Sequence, residues 1–282
     1  MHKLREERIM KVLMLTSLGI VVGSFAAVLL VIAWNGIPAL SISMLTQLPQ
    51  GGYLLGKEGG ILNAIVGSLY LTFGSMLLAA AISLPVSLSL QKEHIRSTRA
   101  VYYIRLLLDV LWGTPSIVYG AFGFIVMLYL GIRASLLGGI IALTILQLPV
   151  MIRAMDEVIR LVPAELKEAS YSLGATRLQT NISVIVRQTL PGLFTAMILA
   201  FGRGIGDAAS ILFTAGYSDN LPRSLLEPVA SLPLAVFFQL GMPFPEVRAR
   251  AYASTLVLLL IVLILSLASR ILAKRFSRNI IR

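Results

Sequence analysis

Long apolar runs constrain this chain more than any other feature of its sequence. A membrane-spanning helix needs about 20 mostly apolar residues, and six runs approach or exceed that length. They cover residues 12–34, 61–90, 101–130, 136–152, 192–214 and 251–273. Only 13% of the 282 residues are charged, which leaves too little polar surface for a water-soluble globule. We therefore expect one all-α membrane domain, residues 1–282, with six transmembrane helices.

Two apolar segments need separate treatment. Residues 229–242 are too few to span a bilayer easily and contain Pro233, so we expect a re-entrant or interfacial segment there. The first run follows four basic residues, as a signal peptide does, but its apolar core is too long for one. We expect it to be a retained first span.

Basic residues indicate the orientation of the chain. Of its 24 lysines and arginines, 18 lie in residues 1–11, 91–105, 153–187 and 270–282. Six spans place all four segments on one side, and the positive-inside rule makes that side cytoplasmic. Both termini are then cytoplasmic. The net charge of +11 is explained by the lipid bilayer, and no nucleic-acid partner is needed.

A polar segment within the expected cytoplasmic loop, about residues 158–187, has the features of a short helix. Pro163 suits the first turn of a helix, and Glu165 favours its positive end. Gly174 permits a turn that would strain other residues. These residues predict a short helix followed by a bend.

This loop resembles that of the binding-protein-dependent ABC importer permeases, which carry Glu-Ala-Ala, three residues and then Gly. Glu168, Ala169, Ser170 and Gly174 occupy those positions. The resemblance implies a type I ABC importer permease fold in which these four residues couple the permease to an ATPase subunit. Arg187 stands where the family has a proline.

Three further segments resemble the permease subunits of phosphate-specific ABC importers. They are residues 59–70, residues 114–120 (Thr-Pro-Ser-Ile-Val-Tyr-Gly) and residues 203–207 (Arg-Gly-Ile-Gly-Asp, where that branch has Arg-Ala-Ile-Gly-Glu). Ser210 replaces a common proline. The resemblance implies a second homologous permease, two copies of an ATPase subunit and an extracytoplasmic phosphate-binding protein as partners. It also implies a multi-pass protein of the bacterial or archaeal cytoplasmic (inner) membrane, without catalytic residues or cofactors of its own.

Arg203 is a charged residue inside the fifth apolar run. A cation near the middle of a span costs about 2.5–3.5 kcal/mol on insertion scales and rarely faces lipid. Asp207 is four residues away, so a continuous helix would place both on one face. Two interpretations stay open: an internal ion pair, or a substrate pathway in which Arg203 attracts an oxyanion and Asp207 holds it loosely.

Thr114 and Ser116 flank Pro115 in the third run. Their hydroxyls and the carbonyls freed by the proline would line a wet pathway, or the proline would only kink the helix. Arg105 and Asp109, also four apart, are expected to stabilise the end of this span.

Two alternative functions remain open. The same machine would suit another oxyanion such as molybdate, tungstate or sulfate, because one arginine does not distinguish tetrahedral anions. An ATPase-independent secondary transporter is the second alternative, although it would have no use for the cytoplasmic helix and glycine. An enzyme is disfavoured, because no span carries a nucleophile–base pair or a cluster of metal ligands.

Overall fold

A computed structural model describes residues 2–50, 58–91 and 98–276. Within them the chain is almost entirely helical, with one antiparallel pair of very short strands. The helices are α1 His2–Gly36, α2 Ile42–Thr46, α3 Leu62–Ser89, α4 Thr98–Gly113, α5 Ser116–Tyr129, α6 Leu136–Arg160, α7 Ala164–Ser172, α8 Arg177–Thr180, α9 Arg187–Ile205, α10 Leu232–Leu240 and α11 Pro245–Phe276. Strand β1 is Pro49–Gln50 and strand β2 is Glu58–Gly59.

Five helices in the described residues are long and apolar enough to cross a membrane. They are α1, α3, α6, α11 and the continuous helix from α8 through α9, Arg177–Ile205. Helices α4 and α5 pass the same test together, so that the number of spans rises to six if this bent pair is one span. The all-helical transmembrane fold expected from the apolar runs is confirmed. The cytoplasmic placement of the termini stays a prediction, and basic residues at 92–97 and 277–282 that entered it lie outside the described part.

The core forms where α3 packs against α6 and α9. Helix α3 presents small and polar residues to its neighbours, and these are buried along its length: Ala64, Gly67, Ser68, Thr72, Ser75, Ala79, Ser83 and Ser87. A Cβ on Gly67 would lie 2.0 Å from the carbonyl oxygen of Ala230. This small-residue face of α3 thus admits the segment before α10, and small residues also let helices associate where lipid supplies no hydrophobic drive.

The third apolar run is two helices rather than one. Helices α4 and α5 meet at a bend of 97° around Thr114 and Pro115. Proline lacks a backbone N–H and disfavours helical geometry in the residue before it, so the helix stops there. The Thr114 hydroxyl donates to the carbonyl of Val110 at 3.0 Å and thereby helps to close α4. Pro115 therefore produces a break, and not the mild kink that was one of the two expectations.

The fifth helix lies nearer the N-terminus than the apolar run suggested. It starts at Arg177, passes through a π-helical turn at Asn181–Val186, and ends at Ile205 rather than Thr214. The carboxylate of Asp207 accepts a 2.8 Å hydrogen bond from the backbone N–H of Ser210. Aspartate bound to its own backbone in this way competes with helix formation, and the glycines before it weaken the helix further.

The apolar segment 229–242 contains the short helix α10, and its N-terminal part is fully buried. The Ser231 side chain caps this helix by accepting from the N–H of Leu234. The N–H of Leu232 donates to the hydroxyl of Ser68 in α3 at 2.8 Å. With nine residues, α10 is too short to cross a bilayer and is held inside the protein by α3 and α11.

Candidate functional site: a broken span beside the end of α9

Helix α5 packs directly on the chain that follows α9. A Cβ on Gly120 would lie 2.7 Å from the carbonyl oxygens of both Ala209 and Ser210. Only glycine permits so close an approach of two backbones without movement. The Thr114–Gly120 motif therefore packs on the chain just beyond the Arg203–Asp207 motif.

Tyr119 lies at the centre of this meeting point. Its hydroxyl donates a 2.7 Å hydrogen bond to the carbonyl of Leu111 and so joins α5 to α4 across the bend. The same phenol lies close to the Thr114 side chain and within electrostatic range of Arg203. The sequence argument did not single Tyr119 out, although it belongs to the Thr114–Gly120 motif. Its importance comes from the 97° bend, which apolar content alone does not reveal.

Arg203 occupies the last turn of α9 and is half-buried. Within the described residues its guanidinium forms neither a hydrogen bond nor an ion pair. Its neighbours Gly202 and Gly206 are exposed, and a Cβ on Gly202 would meet nothing within 4 Å. The arginine therefore stands beside open space on the glycine-lined side of the helix end.

Asp207 does not pair with Arg203 in the described structure. The expectation of a shared helical face is wrong, because α9 ends at Ile205 with Gly206 as its C-cap. The Asp207 carboxylate instead accepts from both the N–H and the hydroxyl of Ser210. It caps its own turn, and no other carboxylate in the described part of the chain pairs with the arginine.

The buried side chain of Gln147 packs against the end of α9, next to Arg203. A Cβ on Gly204 would lie 2.1 Å from Nε2 of Gln147 in α6, which donates to the Ser75 hydroxyl in α3 at 3.1 Å. Gln147 is fully buried. Gly204 thus allows α9 to pack against the Gln147–Ser75 contact between α6 and α3. Arg203 immediately precedes Gly204 in the same helix.

The two hydroxyl residues of the bend are both half-buried. Thr114 uses its hydroxyl to bond Val110 within α4, and Ser116 is the first residue of α5. Thr114 and Arg203 both lie near Tyr119, and Ser116 is three residues before Tyr119 in α5. Asp207 follows at the start of the next turn.

The short helix expected in the loop at residues 158–187 is present as α7, with Pro163 immediately before it and Glu165 in its first turn. No residue of α7 is buried. Gly174 has φ +82°, a conformation that favours glycine. Glu168 and Ala169 are exposed, whereas the Ser170 hydroxyl shares a 2.9 Å hydrogen bond with that of Thr180. Leu173 is 89% exposed.

Two ion pairs join α4 to α6 near α7. Arg105 pairs with Asp156 at 3.0 Å, and Asp109 pairs with Arg153 at 2.9 Å. The expected pairing of Arg105 with Asp109 inside one helix is therefore replaced by two pairs across helices. Asp156 was missed from the sequence because adjacent acidic residues, Asp156 and Glu157, beside basic ones resemble an ordinary solvated helix end.

Comparison with known proteins agrees with this architecture. Residues 95–282 match the family described as "Binding-protein-dependent transport system inner membrane component". The chain is 32% identical over 270 residues to the probable ABC transporter permease protein YqgI of Bacillus subtilis, covering 89% of this chain and 88% of the relative. It is 30% identical to the phosphate transport system permease protein PstA of Haemophilus influenzae, covering 91% and 90%. The PstA of Yersinia pestis is 29% identical, covering 84% and 80%.

Solved structures share the fold at lower identity. Two crystal forms of the inward-facing MetNI methionine ABC transporter align with TM-scores of 0.62 and 0.63, both at 19% identity. The alignments cover 77% and 84% of this chain and 95% and 99% of those chains.

The chain belongs to the binding-protein-dependent transport system inner membrane component family. It is a multi-pass inner-membrane permease subunit of an ABC importer.

Proposed function

We propose that this chain forms half of the translocation pathway of an ATP-driven importer of inorganic phosphate. Arg203 is the observation that carries the proposal: a half-buried arginine at a helix end, beside a broken span, with no carboxylate partner among the residues that the structure describes. Phosphate is named because relatives at about 30% identity over most of the chain are phosphate transport permeases.

The chemistry of Arg203 suits an oxyanion. A guanidinium presents several N–H donors in a fixed plane and binds phosphate-like oxygens in pairs. Its cost within a membrane protein is reduced when it faces a polar pathway. Ser116 would offer its hydroxyl to a passing anion, and the Thr114 hydroxyl would do the same on leaving the carbonyl of Val110. The Asp207 carboxylate binds Ser210, so it leaves Arg203 available to bind an anion. Asp207 would contribute to the pathway by holding the turn that follows α9.

Helix α7 would be the contact with the ATPase subunit. It has no buried residue, and the adjoining Leu173 is 89% exposed in a segment that we place in the cytoplasm. Apolar side chains exposed outside the bilayer mark a surface that a partner covers. Glu168, Ala169 and Ser170 would lie in that interface, while Gly174 would set the turn that follows. Two ATPase copies, one for each permease, would then drive transport by acting on α7.

The remaining partners follow from the same assembly. A second homologous permease would complete the pathway, and an extracytoplasmic binding protein would deliver phosphate. Counting the bent pair α4–α5 as one crossing would give six spans, and both termini would then lie on the side rich in basic residues. That side is cytoplasmic by the positive-inside rule.

Oxyanion-dependent ATP hydrolysis tests the proposal. The tagged chain would be purified gently from its own membranes with its partners, and ATP hydrolysis measured with the binding protein and either phosphate, molybdate, tungstate or sulfate. We expect stimulation by phosphate alone. Stimulation by a different oxyanion alone would keep the ATP-driven machine and contradict the substrate.

Arg203→Gln provides the residue-level test. We expect the complex to remain assembled and to lose phosphate uptake, because the amide cannot supply the charge. Arg223→Gln, at an exposed position in the loop before α10, is the matched control. Full uptake by Arg203→Gln would contradict a role for this residue in the pathway.

A further inference from the structure

Asp156 in α6 is fully buried and holds three side chains from three parts of the chain. Its Oδ2 accepts from Nε of Arg105 at 3.0 Å and from Nη2 of Arg160 at 2.9 Å. Its Oδ1 accepts from Nε2 of Gln91 at 3.0 Å and from Nη2 of Arg105 at 3.2 Å. One carboxylate thus joins α4, the last turn of α6 and the residues that follow α3.

The positions of Arg105 and Arg160 depend on the negative charge of Asp156. Two guanidinium groups share one carboxylate, so removal of the carboxylate would leave two like charges facing each other. A buried ion is tolerated only with partners of good geometry, and loss of one partner is costly. Arg105 and Arg160 are therefore held close together by Asp156 alone among the described acidic residues.

In one direction, the contact between Arg105 and Asp156 continues along α4 towards the bend. Leu108, one turn beyond Arg105, packs with Leu90 and with Ile152 of α6. From Arg105 to the end of α4 at Gly113 the helix rises about 12 Å, at 1.5 Å per residue. A movement of α4 at Arg105 is therefore carried by a rigid helix to Thr114 and Pro115.

Towards α7, the next turn of α6 continues the connection. Ile159 and Val162 of this region pack with Ile185, and Leu166 of α7 lies against the same group. Ile159 is three residues after Asp156 and fully buried. Displacement of α7 thus acts on the helix turn that carries Asp156 and Arg160.

We propose that Asp156 is a positioning residue that transmits movement of α7 to the bend at Thr114–Pro115 by holding α4 to α6. This inference rests on the proposed function, in which the ATPase acts on α7. The nearby Asp109–Arg153 pair joins the same two helices, but Asp109 is 46% exposed. Solvated pairs contribute little, which makes Asp109 the matched control.

The test compares Asp156→Asn with Asp109→Asn in the complete complex with its ATPase and binding protein, reconstituted in lipid vesicles. The quantity measured is the number of ATP molecules hydrolysed per phosphate imported. We expect Asp156→Asn to assemble, to keep basal ATP hydrolysis, and to raise this ratio about tenfold, within the usual range of coupling between two sites. Asp109→Asn should leave the ratio unchanged. Asp156→Glu, which keeps the carboxylate, should retain most of the coupling.

An unchanged ratio in Asp156→Asn, or an equal rise in Asp109→Asn, would overturn the inference. If Asp156→Asn fails to assemble, the double variant Arg105→Gln with Asp156→Asn is tested in its place. It lowers the excess positive charge and keeps hydrogen-bonding groups at both positions. Normal coupling in that double variant, or its failure to assemble, would assign the group a folding role only and would also overturn the inference.

The unaltered complex separates this inference from the proposed function. Its ATP-linked import of inorganic phosphate is measured first. If another oxyanion is imported instead, the substrate is contradicted and the same ratio is measured with that anion. If import is not linked to ATP at all, both proposals fall before a variant is compared.

Discussion

The hydroxyl of Tyr119 donates a 2.7 Å hydrogen bond to the backbone carbonyl of Leu111, across the break between α4 and α5. The carbonyl also accepts from the N–H of Thr114 at 3.1 Å. The bend is thereby closed by one bond from the backbone and one from a side chain. A span that a proline would otherwise leave free to pivot is held at a defined angle beside Arg203.

Tyr119→Phe removes the side-chain bond and leaves the carbonyl paired with Thr114. We expect the protein to fold and assemble normally, because no buried group loses its last partner. Phosphate uptake should fall about fivefold, since a hydrogen bond contributes about 1 kcal/mol. Uptake of radiolabelled phosphate into vesicles measures this effect. Tyr129→Phe, at a residue that is 91% exposed, should leave uptake unchanged. Equal uptake in Tyr119→Phe and the original protein would show that the bond does not set the bend.

Gly120→Ala tests the close contact between α5 and the chain after α9. The added methyl would lie 2.7 Å from two backbone carbonyl oxygens, which cannot move aside as a side chain can. We expect a loss of about 1–3 kcal/mol of stability, typical of overpacking, and a lower midpoint of thermal unfolding of the purified complex. Gly113→Ala is the control, since a Cβ there meets nothing within 4 Å. Equal midpoints for the two variants would contradict the contact.

Gly204→Ala should displace the helix end that carries Arg203. The methyl would lie 2.1 Å from Nε2 of Gln147 and would force that amide away from Ser75. We expect a weaker apparent affinity for phosphate in transport, measured as a raised KM, because the arginine moves with its helix. Gly202→Ala has open space and should behave as the original protein. Adding Gln147→Ala to Gly204→Ala should recover part of the affinity, and failure to recover would place the defect elsewhere.

Leu173→Asp tests the docking surface beside α7. Its side chain is 89% exposed, so the change costs the isolated chain little, whereas an apolar interface would reject the charge. We expect the permease to insert normally and to lose most of its co-purifying ATPase. Leu226→Asp, 66% exposed in the segment before α10, should retain the ATPase. Undiminished ATPase in Leu173→Asp would remove this leucine from the interface.

The sequence predicted those parts of the fold that follow from apolar length and local turn chemistry. The long helices follow from runs of about 20 apolar residues, and the helix and bend at α7 follow from Pro163 and Gly174. The 97° angle between α4 and α5 was not predictable, because Pro115 permits either a kink or a break. Which occurs depends on Tyr119 and on the backbone that Gly120 admits.

The pairing of charges was the least predictable feature of the site. Spacing by four suggested Arg105 with Asp109 and Arg203 with Asp207. In the fold, Arg105 and Asp109 pair across helices with Asp156 and Arg153. The second spacing fails because the helix ends between its members. The first outcome depends on packing between distant segments, which a local periodicity argument does not contain. The second depends on the turn that Asp207 and Ser210 form after the helix.

Reconstituted import tests the central claim most directly. The chain, its permease partner, the ATPase and the binding protein would be placed in lipid vesicles, with radiolabelled phosphate and binding protein on the outside and ATP on the inside. The account predicts phosphate accumulation that requires ATP and stops when either the binding protein or the ATPase is omitted. Accumulation by this chain alone, driven by an ion gradient without ATP, would contradict the account and establish a secondary transporter.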